Sequence, residues 1–249
     1  ALGNANGGGP VTVDAVTRTV YVGGTAETAV LDARHCNAAD MTGCATQTPA
    51  TIPVAFPASL GLAPDTLYAA IQPKGDATIP GFVDVIATRH CQALDTSQCA
   101  TQHPPQVTVG AGPYDTAVDL VHHTLYVPDN ANGDSAGLLS MIDITRCSGD
   151  DTSGCTGQRP PTTPMRRAPT SATLDPFTDT LYVTNFGDAS VSLINTATCN
   201  ATTLAGCPSR PARVIVGSGP GASTLDLGTH TLYVPSFSDG TVSLVRTGH

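Results

Sequence analysis

The sequence predicts an all-β protein of the β-propeller class, with about five four-stranded blades. Three observations lead to this prediction: a strand motif that returns throughout the chain, polar turns between short alternating segments, and the absence of helical periodicity. The motif centres on a tyrosine, and its copies are Val20-Tyr21-Val22, Leu67-Tyr68-Ala69, Leu125-Tyr126-Val127, Leu181-Tyr182-Val183 and Leu232-Tyr233-Val234. Successive tyrosines are 47, 58, 56 and 51 residues apart, and a repeat of that length indicates stacked supersecondary units.

Each repeat divides into four short strands, a to d, of which strand b carries the tyrosine. The predicted a strands are Val11–Val13, Ala58–Leu60, Thr116–Val118, Ala172–Leu174 and Ser223–Leu225. The predicted c strands are Thr28–Ala33, Phe82–Ala87, Leu138–Ile144, Ser190–Asn195 and Thr241–Val245. The predicted d strands are Ala50–Val54, Gln106–Val109, Thr162–Met165 and Ala212–Val216. Four hairpin-connected strands per repeat are typical of a propeller blade.

The repeats span approximately 11–55, 56–110, 114–165, 170–216 and 221–249, and we expect them to form one domain over 1–249. The last repeat has no strand d of its own. Gly7-Gly8-Gly9-Pro10 aligns with Gly110–Pro113 and Gly217–Pro220, which both follow a strand d. Residues 1–10 are therefore a possible closing strand for the last blade. The alternative is that the chain is a piece of a longer array.

The eight cysteines form four equally spaced pairs, each directly after a strand c. The spacing is wider than zinc sites favour, so we predict the disulfides Cys36–Cys44, Cys91–Cys99, Cys147–Cys155 and Cys199–Cys207. Closing a loop of about nine residues contributes about 2.5 kcal/mol in the chain-entropy treatment. Four such bonds predict an oxidising compartment, so we expect a secreted, extracellular or cell-surface protein.

The composition argues against several kinds of partner. The formal net charge is −9, which disfavours nucleic acid because binding to phosphates depends on a basic face. The sequence has no run of 18 apolar residues, so we expect no membrane insertion. It also lacks the G-x-S-x-G nucleophile motif and the phosphate-binding and dinucleotide-binding glycine loops.

The segment Thr180-Leu181-Tyr182-Val183-Thr184-Asn185, with Ser190–Ile194 after it, resembles the YVTN family of β-propeller repeats. The other copies read YVGG, YAAI, YVPD and YVPS. The resemblance covers nearly the whole chain and implies the fold. Similar repeats occur in surface-layer and secreted proteins, and the paired cysteines look like a secreted bacterial variety. More distantly, the fold resembles lactonases and streptogramin lyases. Familiar single-chain members often carry seven blades, whereas this chain offers five.

In a propeller, the b–c and d–a loops share one face, where ligands usually bind. The candidate binding residues on these loops are Tyr114, Asp129, Asn130, Asn132, Asp134, Arg166, Arg167, Asn185, Asp188 and Asp239. Arg166 and Arg167, placed in a d–a loop, could clamp an anion; alternatively, they pair with a neighbouring aspartate. The run from Asp129 to Asp134 faintly resembles a calcium loop without the later glutamate, and hairpin turns favour the same residues. No other cofactor or metal is expected.

The remaining acidic and imidazole groups do not form a predicted catalytic group. Asp14, Asp119, Asp175 and Asp226 start the a–b turns, where an aspartate bonds backbone amides two residues on. His122, His123 and His230 fall in a–b turns, and His35 and His90 precede the first cysteine of a pair, without metal-binding spacing. We therefore expect a non-catalytic module that binds a protein or glycan. The alternatives are a propeller hydrolase or lyase of the lactonase or streptogramin-lyase kind, and a structural repeat of a larger surface assembly that pairs with further copies of itself.

Overall fold

A computed structural model describes residues 9–73, 78–131 and 136–248, and within them 19 strands form five antiparallel sheets. The first sheet contains β1 (Val11–Asp14), β2 (Thr19–Val22), β3 (Thr28–Asp32) and β4 (Ala50–Ile52). The second contains β5 (Pro57–Ala63), β6 (Thr66–Ile71), β7 (Pro80–Ala87) and β8 (Gln106–Ala111). The third contains β9 (Ala117–Asp119), β10 (Thr124–Asp129), β11 (Ala136–Asp143) and β12 (Thr162–Arg167).

The fourth sheet contains β13 (Pro169–Asp175), β14 (Thr180–Asn185), β15 (Ser190–Asn195) and β16 (Ala212–Ile215), and the fifth contains β17 (Thr224–Asp226), β18 (Thr231–Ser236) and β19 (Thr241–Arg246). Sequential strands are neighbours in every sheet, as the a-to-d reading predicts. Residues 1–8 of the predicted closing strand lie outside the described residues. No helical turn in the described part of the chain is long and apolar enough to cross a membrane.

One prediction about strand d needs correction. The third blade's strand d extends over Thr162–Arg167, so Arg166 and Arg167 lie within β12 and not in a d–a loop. Arg167 pairs in register with Ala136 of β11, beyond a bulge. The sequence Thr-Thr-Pro-Met-Arg-Arg alternates poorly, and long-range pairing with β11 decides where this strand ends.

Residue contacts divide the chain into two compact units. The first comprises the described parts of Ala1–Ile71, together with Val83–Val107 and Arg146–Gly157. The second comprises the described parts of Gln72–Phe82, Thr108–Thr145 and Gln158–His249. The candidate residues in the described part of the chain, from Tyr114 to Asp239, belong to the second unit.

The a–b turns are built by aspartate side chains, as predicted. The Asp14 carboxylate accepts hydrogen bonds from the amides of Val16 and Thr17 at 2.8 and 3.2 Å. Asp119, Asp175 and Asp226 accept equivalent bonds from amides two or three residues on. These carboxylates therefore shape the turns, because each one satisfies backbone donors that the tight turn leaves unpaired.

All four predicted disulfides are present, and the four cysteine loops share one conformation. Their Cα–Cα distances lie between 4.6 and 4.8 Å. In each loop, the amide after the first cysteine donates to the carbonyl three residues on, as in Asn37 to Asp40 and Asn200 to Thr203, both at 2.8 Å. The disulfide and this turn together hold each loop in a defined shape.

Three of these loops bind the strand-b tyrosine of the preceding blade, within one unit each. In the first unit, the hydroxyl of Tyr21 donates to the Cys91 carbonyl at 2.8 Å, and that of Tyr68 donates to the Cys147 carbonyl at 2.9 Å. In the second unit, Tyr126 donates to the Cys199 carbonyl at 2.9 Å. Burial raises the pKa of all three phenols, so they remain protonated donors at neutral pH.

A threonine two residues before each of these tyrosines completes the contact. The amides of Ala93, Gly149 and Ala201 donate to the hydroxyl oxygens of Thr19, Thr66 and Thr124, at 2.8, 2.8 and 3.0 Å. The pattern Thr-x-Tyr on strand b therefore recognises Cys-x-Ala or Cys-x-Gly on the following loop. We call this pair of hydrogen bonds the loop latch.

In the second unit, apolar packing also joins the tyrosine-bearing side of one blade to the following blade. Tyr126, Leu139 and Met141 on the tyrosine-bearing face of the third blade pack against Leu181 and Val183 of the fourth. In a second cluster, Tyr182 and Val191 pack against Leu232, Val234 and Val245. The third and fourth blades therefore each have a tyrosine face, which meets the following blade, and the fourth and fifth blades each have an opposite face, which meets the preceding one. The period-2 alternation of the strands separates the two faces.

Candidate functional site

The b–c turns of the fourth and fifth blades present two phenylalanines at one end of the strands. Phe186–Asp188 form a 3-10 turn that ends on Ala189 in the left-handed region, with φ 45°. The other turn closes through a hydrogen bond of 2.9 Å from the Gly240 amide to the Ser236 carbonyl, with φ 64° at Gly240. Both turns are tight, so the side chains within them project to solvent.

Three aromatic side chains of the second unit are exposed on these loops. Tyr114, in the d–a connection before β9, is 51% exposed, while Phe186 and Phe237 are 44% and 86% exposed. Phe186 lies over Gly219, where an added Cβ would come within 3.1 Å of the ring and where φ is +66°. A cleft of about 420 Å³ beside Phe237 is lined by Gly221, Pro235, Ser236, Gly240 and Thr241. Sequence reasoning missed both phenylalanines, although their place in b–c turns could have indicated them.

Asp188 is held by two guanidinium groups at the same end of the strands. Its Oδ2 lies 2.6 Å from Nη1 of Arg213 and 3.4 Å from Nη1 of Arg166, and it accepts a bond from the Ser190 hydroxyl at 3.2 Å. Arg166 also donates to the Pro211 carbonyl at 3.0 Å. The structure therefore brings Arg166 and Asp188 together as an ion pair, which is the alternative that the sequence left open. Arg167 is exposed.

Asp129 and Asn185 occupy equivalent positions at the end of strand b, and both are fully buried. The Ser140 hydroxyl donates to Oδ2 of Asp129 at 2.6 Å, and the Asn185 amide donates to the Ser192 hydroxyl at 3.0 Å. Burial raises the pKa of the Asp129 carboxyl to about 7. Both side chains therefore lie inside the second unit. The place of both residues at the end of strand b did not distinguish this burial from a position on a solvent-exposed loop.

The other candidates fall into two groups. Asn130 donates to the Pro169 carbonyl at 3.3 Å, and Asp239 accepts a bond from the Ser218 amide at 2.5 Å. Both therefore order connections between strands. Asn132 and Asp134, the centre of the calcium-like loop, lie outside the described residues. Within the described residues, no group of three or more His, Cys, Asp or Glu side chains could hold a metal ion.

Histidines do pair with carboxylates, which the sequence spacing did not reveal. Nδ1 of His35, His90 and His122 lies 2.7 to 2.8 Å from a carboxylate oxygen of Asp40, Asp95 and Asp119. The first two pairs lie inside cysteine loops and the third in an a–b turn. Each carboxylate also accepts backbone amides of its own loop, so these pairs support loop conformation.

The first unit has a separate cleft of about 420 Å³ at its a–b turns, lined by Asp14, Val16, Leu62, Pro64, Asp65 and neighbouring residues. Its acidic groups are engaged elsewhere: Asp14 caps its own turn, and Asp65 lies 3.3 Å from Arg89. In the same unit, burial raises the pKa of Asp84 to about 6, and Gln106 donates to this carboxyl at 2.9 Å. These groups stabilise strands and turns.

Comparison with known proteins identifies the fold. No protein-family model matches the chain, and no curated protein matches its sequence. A chain in the crystal structure of a nidogen/laminin complex matches with a TM-score of 0.63 and 15% identity, over 98% of this chain and 77% of that chain. The crystal structure of a functionally unknown protein from Desulfotomaculum acetoxidans DSM 771 matches with a TM-score of 0.61 and 12% identity, over 94% of this chain and 68% of that chain. Likeness at these identities shows the fold alone, which is a five-bladed β-propeller.

Proposed function

We propose that this protein is a secreted, non-catalytic β-propeller module that binds a protein or glycan through the b–c and d–a loops of its second unit. The observation that carries the proposal is the exposure of Tyr114, Phe186 and Phe237 on those loops. The chain has only five phenylalanines and six tyrosines. Aromatic rings held in water on tight turns gain stability when a partner covers them, and aromatic residues are enriched among binding hot spots.

The surrounding polar groups suit a rim around such a contact. Asp188 is fixed by Arg166 and Arg213, and Asp239 is fixed by the Ser218 amide. Groups that are already ordered lose little conformational freedom on binding. An apolar centre with an ordered polar rim is the usual arrangement of a protein interface.

Two further observations support an extracellular binding role. Four disulfides are typical of proteins from oxidising compartments. The nidogen/laminin structure is by its title a protein complex, so the fold is compatible with protein binding, although a fold by itself does not carry a function. Within this proposal, the repeat is of the YVTN kind, and the strand Thr180–Asn185 supplies the motif.

The test uses a glycan array and a panel of immobilised extracellular-matrix proteins. The variant Y114A/F237A removes two exposed rings, and F177A is the matched control because Phe177 is 74% exposed in an a–b turn. We expect wild type and F177A to bind the same array or panel member, and Y114A/F237A to bind it about tenfold more weakly or worse.

Two outcomes would contradict the proposal. One is equal loss of binding in F177A and Y114A/F237A, because this would separate recognition from the b–c loops. The other is turnover of lactone or streptogramin substrates by the wild-type protein, because this would favour the propeller hydrolase or lyase. Unchanged melting temperatures for all variants would exclude unfolding as the cause of lost binding.

A further inference from the structure

The fifth blade carries the receptor half of a loop latch that no described residue fills. Thr231 and Tyr233 repeat the Thr-x-Tyr pattern of strand b, and the Tyr233 side chain is half-buried, whereas Tyr21, Tyr68 and Tyr126 are fully buried. No hydrogen bond of the Tyr233 hydroxyl is found among residues 9–73, 78–131 and 136–248. In three other blades, this hydroxyl donates to the first cysteine of a loop.

The apolar surface around Tyr233 is exposed in the same way. Leu244 lies opposite Tyr233, and Val242 lies opposite Pro235; they are 66% and 55% exposed. The equivalent residues of the third blade are Met141 and Leu139, opposite Tyr126 and Pro128, and both are fully buried. We call Tyr233, Val242 and Leu244 the Tyr233 face.

The first blade carries the other half of the latch. The Cys36–Cys44 loop has the same disulfide and the same internal turn as the three loops that are bound. Its Cys36 is only half-buried and its Ala38 is exposed, whereas Cys91, Cys147 and Cys199 are fully buried. The loop is therefore already folded in the conformation that the tyrosines of other blades recognise.

The strands next to this loop also expose their apolar side. Val11 and Val13 of β1 are 59% and 56% exposed, and Val13 lies opposite Val20. In the fourth blade, the equivalent pair is Leu174 and Leu181, and both pack against the third blade. We call Val11, Val13 and the Cys36–Cys44 loop the Val13 face.

We propose that the Tyr233 face binds the Val13 face of a second copy of this chain. The occupant is identified by the three loop latches inside the chain, because each joins a tyrosine face to a cysteine loop with the same two hydrogen bonds. In the assembly, the Tyr233 hydroxyl donates to the Cys36 carbonyl, and the Ala38 amide donates to the Thr231 hydroxyl. Such a contact joins two different surfaces, so it builds rings or filaments of copies. The proposal is independent of the ligand that the b–c loops bind.

The test places a charge on one face at a time and measures mass by light scattering and sedimentation across a dilution series. We expect wild type to associate as concentration rises. L244E blocks the Tyr233 face and V13K blocks the Val13 face, and each should associate at least about tenfold more weakly, because a charge would be buried against apolar groups. V16K and L204E are matched controls, since Val16 and Leu204 are exposed outside both faces, and they should associate like wild type.

A mixture of the two blocked variants gives the sharpest result. V13K keeps an intact Tyr233 face and L244E keeps an intact Val13 face, so the mixture should form a one-to-one dimer and stop there. Y233F should weaken association about fivefold, because one hydrogen bond to the Cys36 carbonyl is lost, whereas Y114F should have no effect on it.

Two outcomes would overturn the proposal. One is a wild-type protein that stays monomeric at every concentration. The other is a mixture of V13K and L244E that remains monomeric.

Discussion

Asp129 is a buried carboxyl group with only one of its oxygens satisfied. Ser140 donates to Oδ2, while Oδ1 has no hydrogen-bond partner in the described part of the chain. Burial raises the pKa of Asp129 to about 7, from about 3.9 in an unfolded chain. The folded state thus holds a proton that the unfolded state releases. The stability contributed by the protonated carboxyl is complete below about pH 4 and is lost as the pH rises through about 7.

This pKa predicts the behaviour of D129N. Asparagine cannot ionise, and the fourth blade already uses Asn185 at the equivalent position. We expect D129N to raise the free energy of unfolding by about 1–3 kcal/mol at about pH 8, and to leave it nearly unchanged at about pH 4. Urea unfolding at both pH values measures the difference.

Asp226 provides a control of opposite sign. Hydrogen bonds, first from the Thr229 hydroxyl and then from the Gly228 amide, lower its pKa. Its stability contribution is present above the unfolded pKa and is lost as the pH falls through the lower folded pKa. D226N should therefore be less stable than wild type at neutral pH and equal to it in acid.

For the first prediction, the contradicting outcome is a D129N variant that is less stable than wild type at about pH 8. That result would show that the folded protein favours the charged form of Asp129.

These two aspartates differ in how well the sequence predicts whether the carboxylate lies in an exposed turn or in a buried site. Asp226 stands in a turn sequence, and local spacing was enough to predict its bonds. Asp129 begins a polar stretch that reads equally well as a calcium loop. Its burial depends on Gly110 of β8, where an added Cβ would come within 2.5 Å of the carboxylate, and on Ser140 of the neighbouring strand β11. A single sequence does not show that these groups meet.

At the scale of elements, the cysteine loop acts both as a crosslinked turn and as a contact for a neighbouring strand. From the sequence, each loop was predicted only to be a short disulfide-closed ring, which restricts the conformations of the unfolded chain. In the structure, Cys147 and Cys155 are fully buried, and the Cys147 carbonyl accepts the Tyr68 hydroxyl. The Cys36–Cys44 loop has the same covalent geometry but remains partly exposed.

Replacing two different cysteine pairs separates these two contributions. C36A/C44A should destabilise the monomeric chain by about 2.5 kcal/mol through lost loop closure. C147A/C155A should lose this contribution and a further 1–3 kcal/mol, roughly, because packing around buried sulfur and the anchor for Tyr68 are also disturbed.

Urea unfolding at a dilution where the protein is monomeric compares the two variants. Equal destabilisation would mean that docking of the loop adds nothing beyond the crosslink. A native far-ultraviolet circular dichroism spectrum before unfolding is the necessary control for both.

At the scale of the whole molecule, the disulfides contribute a large part of the total stability. Four short loops together contribute about 10 kcal/mol in the chain-entropy treatment, while native domains are typically stable by about 5–15 kcal/mol. We therefore expect excess reductant to unfold the protein, or to lower its melting temperature by about 20 °C or more. Differential scanning calorimetry with and without reductant measures this. A melting temperature that is unaffected by complete reduction, verified by thiol alkylation, would contradict it.

The sequence by itself determined the repeat, the order of strands, the turn-forming aspartates and the cysteine pairs. Each depends on residues close together in the chain, where spacing and side-chain chemistry already specify geometry. Only the tertiary structure decided which carboxylates are buried, that Arg166 lies in a strand and pairs with Asp188, and which aromatic rings face solvent. It also decided that the strand-b tyrosines bind cysteine loops 70 or more residues away. These features arise when distant segments pack together, and the energy of burial and long-range hydrogen bonding that selects them has no signature in local sequence.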